Sequence, residues 1–182
     1  MTPVTADGRA RGLRDAVVIR RVRPADAAAI SCILNAVIEN GSFSLLDTPF
    51  SEPEEREYIE RFSARGVFNV AKIRTEGVVA FQSLEPYASF KTTAFDHVLT
   101  MGTYVAERHR REGIGTRLAA VAFAEARQSG HEKIITEIRA DNQTSLRFHQ
   151  GLGFAVVGVA HGAVRVGDRS VDLVFVEKSL QP

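Results

Sequence analysis

The sequence predicts a mixed α/β domain of about seven strands and about four helices, on three observations. Short runs rich in β-branched residues recur along the chain and alternate with segments of three-four apolar spacing. Pairs of strand-like runs are joined by short glycine-bearing loops, as in hairpins. One strand-like run leads through a glycine-bearing turn directly into a helical pattern, as in a βαβ crossover.

The elements follow in order. Residues 1–15 mix Thr, Gly, Arg, Asp and Ala without apolar periodicity and are read as a flexible tail, leaving 16–182 as one domain. Val17 to Val22 is a first strand, ended by Arg23-Pro24. Ile30, Ile33, Leu34, Val37 and Ile38 mark one face of a helix that stops at Asn40-Gly41. Ser42 to Pro53 is a loop, and Ser51 with Glu54 forms a capping-box pattern for a second helix ending near Gly66. Val67 to Ile73 and Val78 to Leu84 form a hairpin about Arg74 to Gly77. After a polar excursion from Glu85 to His97 come a strand at Val98 to Val105 and a helix from Ile114 to about Gln128. Ile134 to Ile138 is a strand, and Asp141 or Asn142 caps a short helix containing Leu146 and Phe148. Phe154 to Ala160 and Val171 to Glu177 are the last strands, joined by a loop containing Gly162, Gly167 and Asp168.

Bulk composition narrows the function. A formal net charge of +1 argues against a nucleic-acid partner. No apolar run approaches the roughly 18 residues of a membrane helix, and the first residues lack a secretory pattern, so a soluble cytoplasmic protein is expected. Cys32 is the single cysteine and is read as a small buried residue of the first helix. His109, His131 and His161 make no ligand spacing, so no metal is expected.

The chemistry concentrates at Arg110-Arg111-Glu112-Gly113-Ile114-Gly115. Glycines there let a backbone approach a ligand closely, the first amides of the following helix lack internal partners, and the positive end of the helix dipole favours an anion. The segment has neither the Walker pattern nor the Gly-x-Gly-x-x-Gly dinucleotide pattern.

Entered from Thr103-Tyr104-Val105, the Arg110-x-x-Gly113-x-Gly115 pattern resembles the pyrophosphate-binding signature of the Gcn5-related N-acetyltransferases. Asn142 to Phe154, with its closing Leu152-Gly153-Phe154, resembles that superfamily's second signature. Within the superfamily, Ser42-Phe43, Thr48-Pro49, Ser51 to Arg56, Pro86-Tyr87 and Leu146 to Phe154 are similar to the phosphinothricin and L-amino acid N-acyltransferase branch.

The resemblance implies a twisted mixed sheet flanked by helices, acetyl-coenzyme A as co-substrate, a small-molecule amine as acceptor and a homodimer. It implies cofactor contacts from Thr103, Tyr104, Val105, Arg110, Arg111, Glu112, Gly113, Ile114, Gly115, Thr116, Asn142, Ser145, Phe148 and His149. It places Phe43, Tyr87, Thr100 and Asp172 at the amine, and makes His149 and Tyr104 candidates for protonating the leaving thiolate. The branch carries a Glu, proposed as general base, where this chain has Thr100, so Glu85, Asp96 or His97 is expected to act instead, through water. Without that Glu, an α-amino group, with a pKa of about 7.7 to 8.0, is a better acceptor than a lysine-type amine near about 10.4. Peptide or protein N-termini and polyamines are the alternative acceptors, and an acyl-coenzyme A binding module without catalysis is the alternative class.

Overall fold

A computed structural model describes residues 17–41, 44–88, 90 and 92–181. The tail expected over 1–15 and Phe43 lie outside the described residues. Strand β1 (Val17–Arg21) leads into α1 (Ala27–Asn40), α2 (Glu52–Arg61), β2 (Val67–Ile73), β3 (Gly77–Pro86) and β4 (Val98–Val105). Then come α3 (Ile114–Gln128), β5 (Lys133–Arg139), α4 (Gln143–Gly151), β6 (Ala155–Val166) and β7 (Arg169–Ser179). The seven strands form one mixed sheet in the order β1-β2-β3-β4-β5-β7-β6. The element order matches the one read from the sequence. No helix among the described residues is long and apolar enough to cross a membrane.

The helices form where their local chemistry directs. Ile30, Ile33, Leu34, Val37 and Ile38 are all buried along α1. At the start of α2, the Ser51 hydroxyl accepts from the Glu54 amide while the Glu54 carboxylate accepts from the Ser51 amide, satisfying two amides the helix cannot pair.

Three expectations need correction. Helix α2 ends at Arg61, not near Gly66: Phe62 turns extended so that its ring packs 5.0 Å from that of Phe68. Gly66 instead belongs to the return, where a Cβ would sit 2.6 Å from the Leu84 carbonyl oxygen. The last two strands run through most of the expected loop, because a bulge between Ala160 and Val164 absorbs the irregularity. Cys32 is exposed, since it lies on the opposite side of α1 from the apolar stripe.

Strands β3 and β4 divide the molecule. Their register pairs Phe81 with Tyr104, Ser83 with Gly102 and Glu85 with Thr100. With side chains alternating, this set shares one face, on which Phe81 and Tyr104 pack with Ile30, Leu34 and Ile38 of α1 and Ile59 of α2. The opposite face places Leu84, Leu99 and Met101 against Ala119, Ala122 and Phe123 of α3. One strand therefore serves two compartments.

Candidate active site

The glycine-bearing turn is built by its backbone. Beyond β4 the chain makes a 3-10 turn at Glu107–His109 and then takes two left-handed residues, Arg111 at φ 67° and Gly113 at φ 80°. A left-handed residue other than glycine costs about 1 kcal/mol, and such strain collects where a backbone must present its amides. The first helical bond of α3 is from the Arg117 amide to the Gly113 carbonyl, 3.1 Å, so the amides of Ile114, Gly115 and Thr116 precede it. Arg110 Nε donates to the Val105 carbonyl at 3.2 Å, folding that side chain back onto the strand end. Buried His109 ties the turn down: Nδ1 lies 3.0 Å from Glu112 and Nε2 3.1 Å from Glu76 of the β2–β3 hairpin. Glu112 is thus a strut of the turn, and Ile114 is a core residue.

The two signature segments meet. A Cβ on Gly115 would lie 3.2 Å from the Phe148 ring and 3.7 Å from the Thr103 methyl, so this position lets the first turn of α3 close on α4. The Thr103 hydroxyl accepts from Gln82 Nε2 at 2.7 Å, which leaves its backbone for any ligand contact.

Next to this junction the sheet opens. Parallel register between β4 and β5 stops after Val98 with Lys133 and Leu99 with Ile134. The Thr136 hydroxyl still reaches the Met101 carbonyl at 3.1 Å, but Gly102 to Val105 have no strand partner on that side. Arg139, 5% exposed at the end of β5, donates through Nη1 to the carbonyls of Gly41 at 2.7 Å and Ser44 at 3.2 Å. It also grips Asp141 with Nε and Nη2, and these bonds hold the Asp141 carboxyl below its ordinary range. One guanidinium therefore clamps the segment after α1 to β5.

The face of β3 and β4 toward α1 and α2 carries a polar cluster. Glu85, across from Thr100, accepts from the Ser83 hydroxyl at 3.2 Å. Tyr58 of α2 faces the same cluster, and burial, then the charge of Glu85, pushes its pKa up. Glu55, one turn earlier on α2 and 4% exposed, is raised from the ordinary 4.5 to about 7 by burial and then by the charge of Glu85. Tyr104 stacks on Phe81 at 4.8 Å, and burial raises its pKa.

His149 is 7% exposed and shares its Nδ1 with the Ser145 carbonyl at 2.8 Å and the Ser145 hydroxyl at 3.3 Å. A carbonyl can only accept, so Nδ1 carries the proton and Nε2 the lone pair in the neutral ring. Burial lowers the His149 pKa, and Nε2 is buried with no partner among the described residues. The resting imidazole thus presents an acceptor. Asn142 uses its side-chain oxygen to cap α4 through the Ser145 amide at 3.0 Å.

Tyr87 and Asp172, both expected at the amine, have local partners of their own. Tyr87 packs on Phe95 in the segment between β3 and β4. Asp172 closes the β6–β7 bulge, accepting from the Gly162 amide at 2.8 Å and lying 3.0 Å from His161 Nδ1. Asp96 pairs with Arg65 at 2.7 Å. Sequence reasoning missed Glu55 and Arg139. Glu55 reads as an ordinary charge behind a capping box, and Arg139 as a solvated strand end, because neither position shows locally what covers it.

Comparison with known proteins fits this geometry. The model of the acetyltransferase (GNAT) family matches residues 38–154. The chain is 30% identical over 151 residues to a phosphinothricin N-acetyltransferase of Streptomyces viridochromogenes, covering 82% of this chain and 80% of that one. It is 29% identical over 163 residues to an L-amino acid N-acyltransferase of Escherichia coli, covering 89% and 93%. A GNAT-superfamily phosphinothricin acetyltransferase of Sinorhizobium meliloti, solved in complex with acetyl-coenzyme A, superposes with a TM-score of 0.82 at 21% identity, covering 90% of this chain and 88% of that one. A glycine-bearing strand-to-helix turn, a parted β4–β5 pair and these matches together place the chain in the GNAT family of acetyltransferases.

Proposed function

We propose that this acetyltransferase moves the acetyl group of acetyl-coenzyme A to the amine of a small amino acid or amino-acid analogue, of the phosphinothricin or methionine sulfoximine kind. The observation that carries the reading is the double use of β4: one end runs into a glycine-bearing turn suited to an anion, and one face sets Glu85 across from Thr100.

The residues present fit the co-substrate. The amides of Ile114, Gly115 and Thr116, with Gly113 and Arg111 in left-handed conformations, suit a pyrophosphate at the N-terminus of α3. Arg110 and Arg111 add charge, and the unpaired edge of Gly102 to Val105 offers amides and carbonyls to an extended chain and to the carbonyl oxygen of an acyl group. The thioester supplies the activated acetyl group. On the other face, Glu85 supplies a carboxylate where the branch places one at the position of Thr100. His149, neutral with its lone pair on Nε2, serves as a hydrogen-bond acceptor in the resting state. Proximity and alignment carry most of the rate.

The protein acts in the cytoplasm as one domain over 16–182 and pairs with a second copy through β6. Support for pairing is the position of β6 at the sheet edge, with Val156, Val157 and Val159 63%, 54% and 45% exposed.

Thiol release from acetyl-coenzyme A against amino acids, glutamate analogues, methionine sulfoximine, short peptides and polyamines tests the reading. Turnover confined to amino-acid-like amines supports it, and turnover of peptides or polyamines alone moves the acceptor to those classes. Binding of acetyl-coenzyme A without turnover of any amine overturns it in favour of a binding module.

A further inference from the structure

Beyond Leu99, where the β4–β5 ladder ends, Gly102 to Val105 are held by β3. Gln82 of β3 is fully buried and sits opposite Thr103 in that ladder. Its side-chain amide donates to β4 alone: Nε2 lies 2.7 Å from the Thr103 hydroxyl oxygen and 3.3 Å from the Met101 sulfur. Those two residues flank Gly102 and share the α3 face. Thr103 in turn stands beside the start of α3. Its methyl is 3.7 Å from where a Gly115 Cβ would lie, and the Phe148 ring closes on the same point at 3.2 Å. On the opposite face the next register pair, Phe81 with Tyr104, stacks at 4.8 Å. The end of β4 that has parted from β5 is thus gripped on both faces, by rings on one and by an amide on the other.

The amide grip runs against packing. Asn69, Gln82 and Thr103 are in register and form a polar row across β2, β3 and β4, with Asn69 Nδ2 donating to Glu125 of α3 at 3.2 Å. The row crosses between two apolar clusters, one holding Leu84, Met101 and Ala122, the other Ala71, Ala80 and Leu118. Within it, Gln82 Oε1 and Asn69 Oδ1 are buried with no partner among the described residues. A buried carbonyl oxygen without a donor weakens a fold, and a methionine of similar volume would fill the place of Gln82 without that loss. A residue that breaks the packing rule at such a place serves something other than stability.

Resting on the acetyltransfer reading above, we propose that Gln82 is a positioning residue for acetyl-coenzyme A. By holding Thr103 and Met101 it fixes the unpaired edge of β4 relative to the first turn of α3. The backbone of 102–105 and the amides of Ile114, Gly115 and Thr116 can then engage one extended ligand at the same time. Gln82 acts through Thr103, from within the core. Its influence falls on the co-substrate rather than on the amine, which belongs to the other face, beside Glu85 and Thr100.

The test compares wild type, Gln82→Met, Thr103→Val, Thr103→Ser and the Gln82→Met, Thr103→Val double variant by calorimetry with acetyl-coenzyme A, by steady-state kinetics and by thermal melting. Gln82→Met should bind acetyl-coenzyme A about five- to tenfold more weakly, the size a single neutral hydrogen bond carries. KM for acetyl-coenzyme A should rise alike, KM for the amine should stay within twofold, and the variant should melt at or above the wild-type temperature. Thr103→Val removes the acceptor and should show the same loss, whereas Thr103→Ser keeps it and should stay within twofold of wild type. Both substitutions break one bond, so the double variant should be no more than twofold weaker than either single variant. Unchanged affinity in Gln82→Met, losses that multiply in the double variant, a Thr103→Ser as weak as Thr103→Val, or equal rises in both KM values would each overturn the inference while wild type still binds and turns over. Should Gln82→Met fail to fold, the contrast between Thr103→Val and Thr103→Ser decides alone. Wild type that does not bind acetyl-coenzyme A overturns the acetyltransfer reading itself.

Discussion

The two ends of the active site are made from different material. The anion turn is written in one continuous stretch, Arg110 to Thr116, and its working parts are backbone amides whose directions follow from two left-handed residues and a helix start. The polar cluster on the face toward α1 and α2 is assembled from side chains of α2, β3 and β4 that stand up to 49 residues apart, from Glu55 to Tyr104. A backbone site tolerates most changes of residue type but not of φ. A side-chain cluster depends on which residues the strands bring opposite one another, as the ladder does with Glu85 and Thr100.

The sharpest way to break the comparison is Gly113→Asp. The position has open space around a Cβ but is left-handed at φ 80°, so the substitution should cost about 1 kcal/mol of stability and leave the fold intact. A carboxylate among the amides nevertheless repels pyrophosphate, and acetyl-coenzyme A should bind at least 100-fold more weakly by calorimetry, about 3 kcal/mol. Normal binding would show that the turn is only a connection.

Arg139→Met tests the clamp between the compartments. Removing the guanidinium leaves the Gly41 and Ser44 carbonyls without its bonds, which should cost about 2 to 3 kcal/mol in urea denaturation. KM for the amine should rise more than that for acetyl-coenzyme A. Equal effects on both would separate the clamp from the acceptor side.

Glu55→Gln should also act on stability, with a pH signature. A carboxyl raised from 4.5 to about 7 binds its proton more tightly when folded, so its destabilising effect is absent below about pH 4.5 and grows as pH rises through 7. The variant should therefore be more stable than wild type at pH 8, by about 1 to 3 kcal/mol, and equal to it at pH 4.5. A difference independent of pH would mean the gain comes from packing.

The smallest effect is expected for Arg111→Gly. It relieves a left-handed side chain, raising stability by about 0.5 to 1 kcal/mol, while removing one charge from the anion turn. Acetyl-coenzyme A affinity should fall only severalfold, because amides rather than this guanidinium form the site. A loss as large as that of Gly113→Asp would reverse that ranking.

Legibility followed the range of the interactions. The helix over 27–40 was readable from its apolar stripe, and the capping box at Ser51 from two residues three apart, because both are local. The end of α2 was misplaced because Phe62 answers to Phe68 rather than to its own neighbours. The side of α1 on which Cys32 falls follows from helical phase against its own apolar residues, yet composition alone had put the residue inside. The C-terminal strands were read too short because the bulge that extends them depends on Asp172, ten residues beyond Gly162, closing it.

By itself, the sequence determined the order of elements, the family signatures and the glycine-bearing turn, all of which rest on periods, caps and backbone conformations within about ten residues. Tertiary structure alone decided that β4 parts from β5 after Leu99, that Arg139 clamps the segment beyond α1, and that Glu55 is buried. These depend on which faces meet, and on burial that strips water from a charge only once the sheet and helices have closed over it.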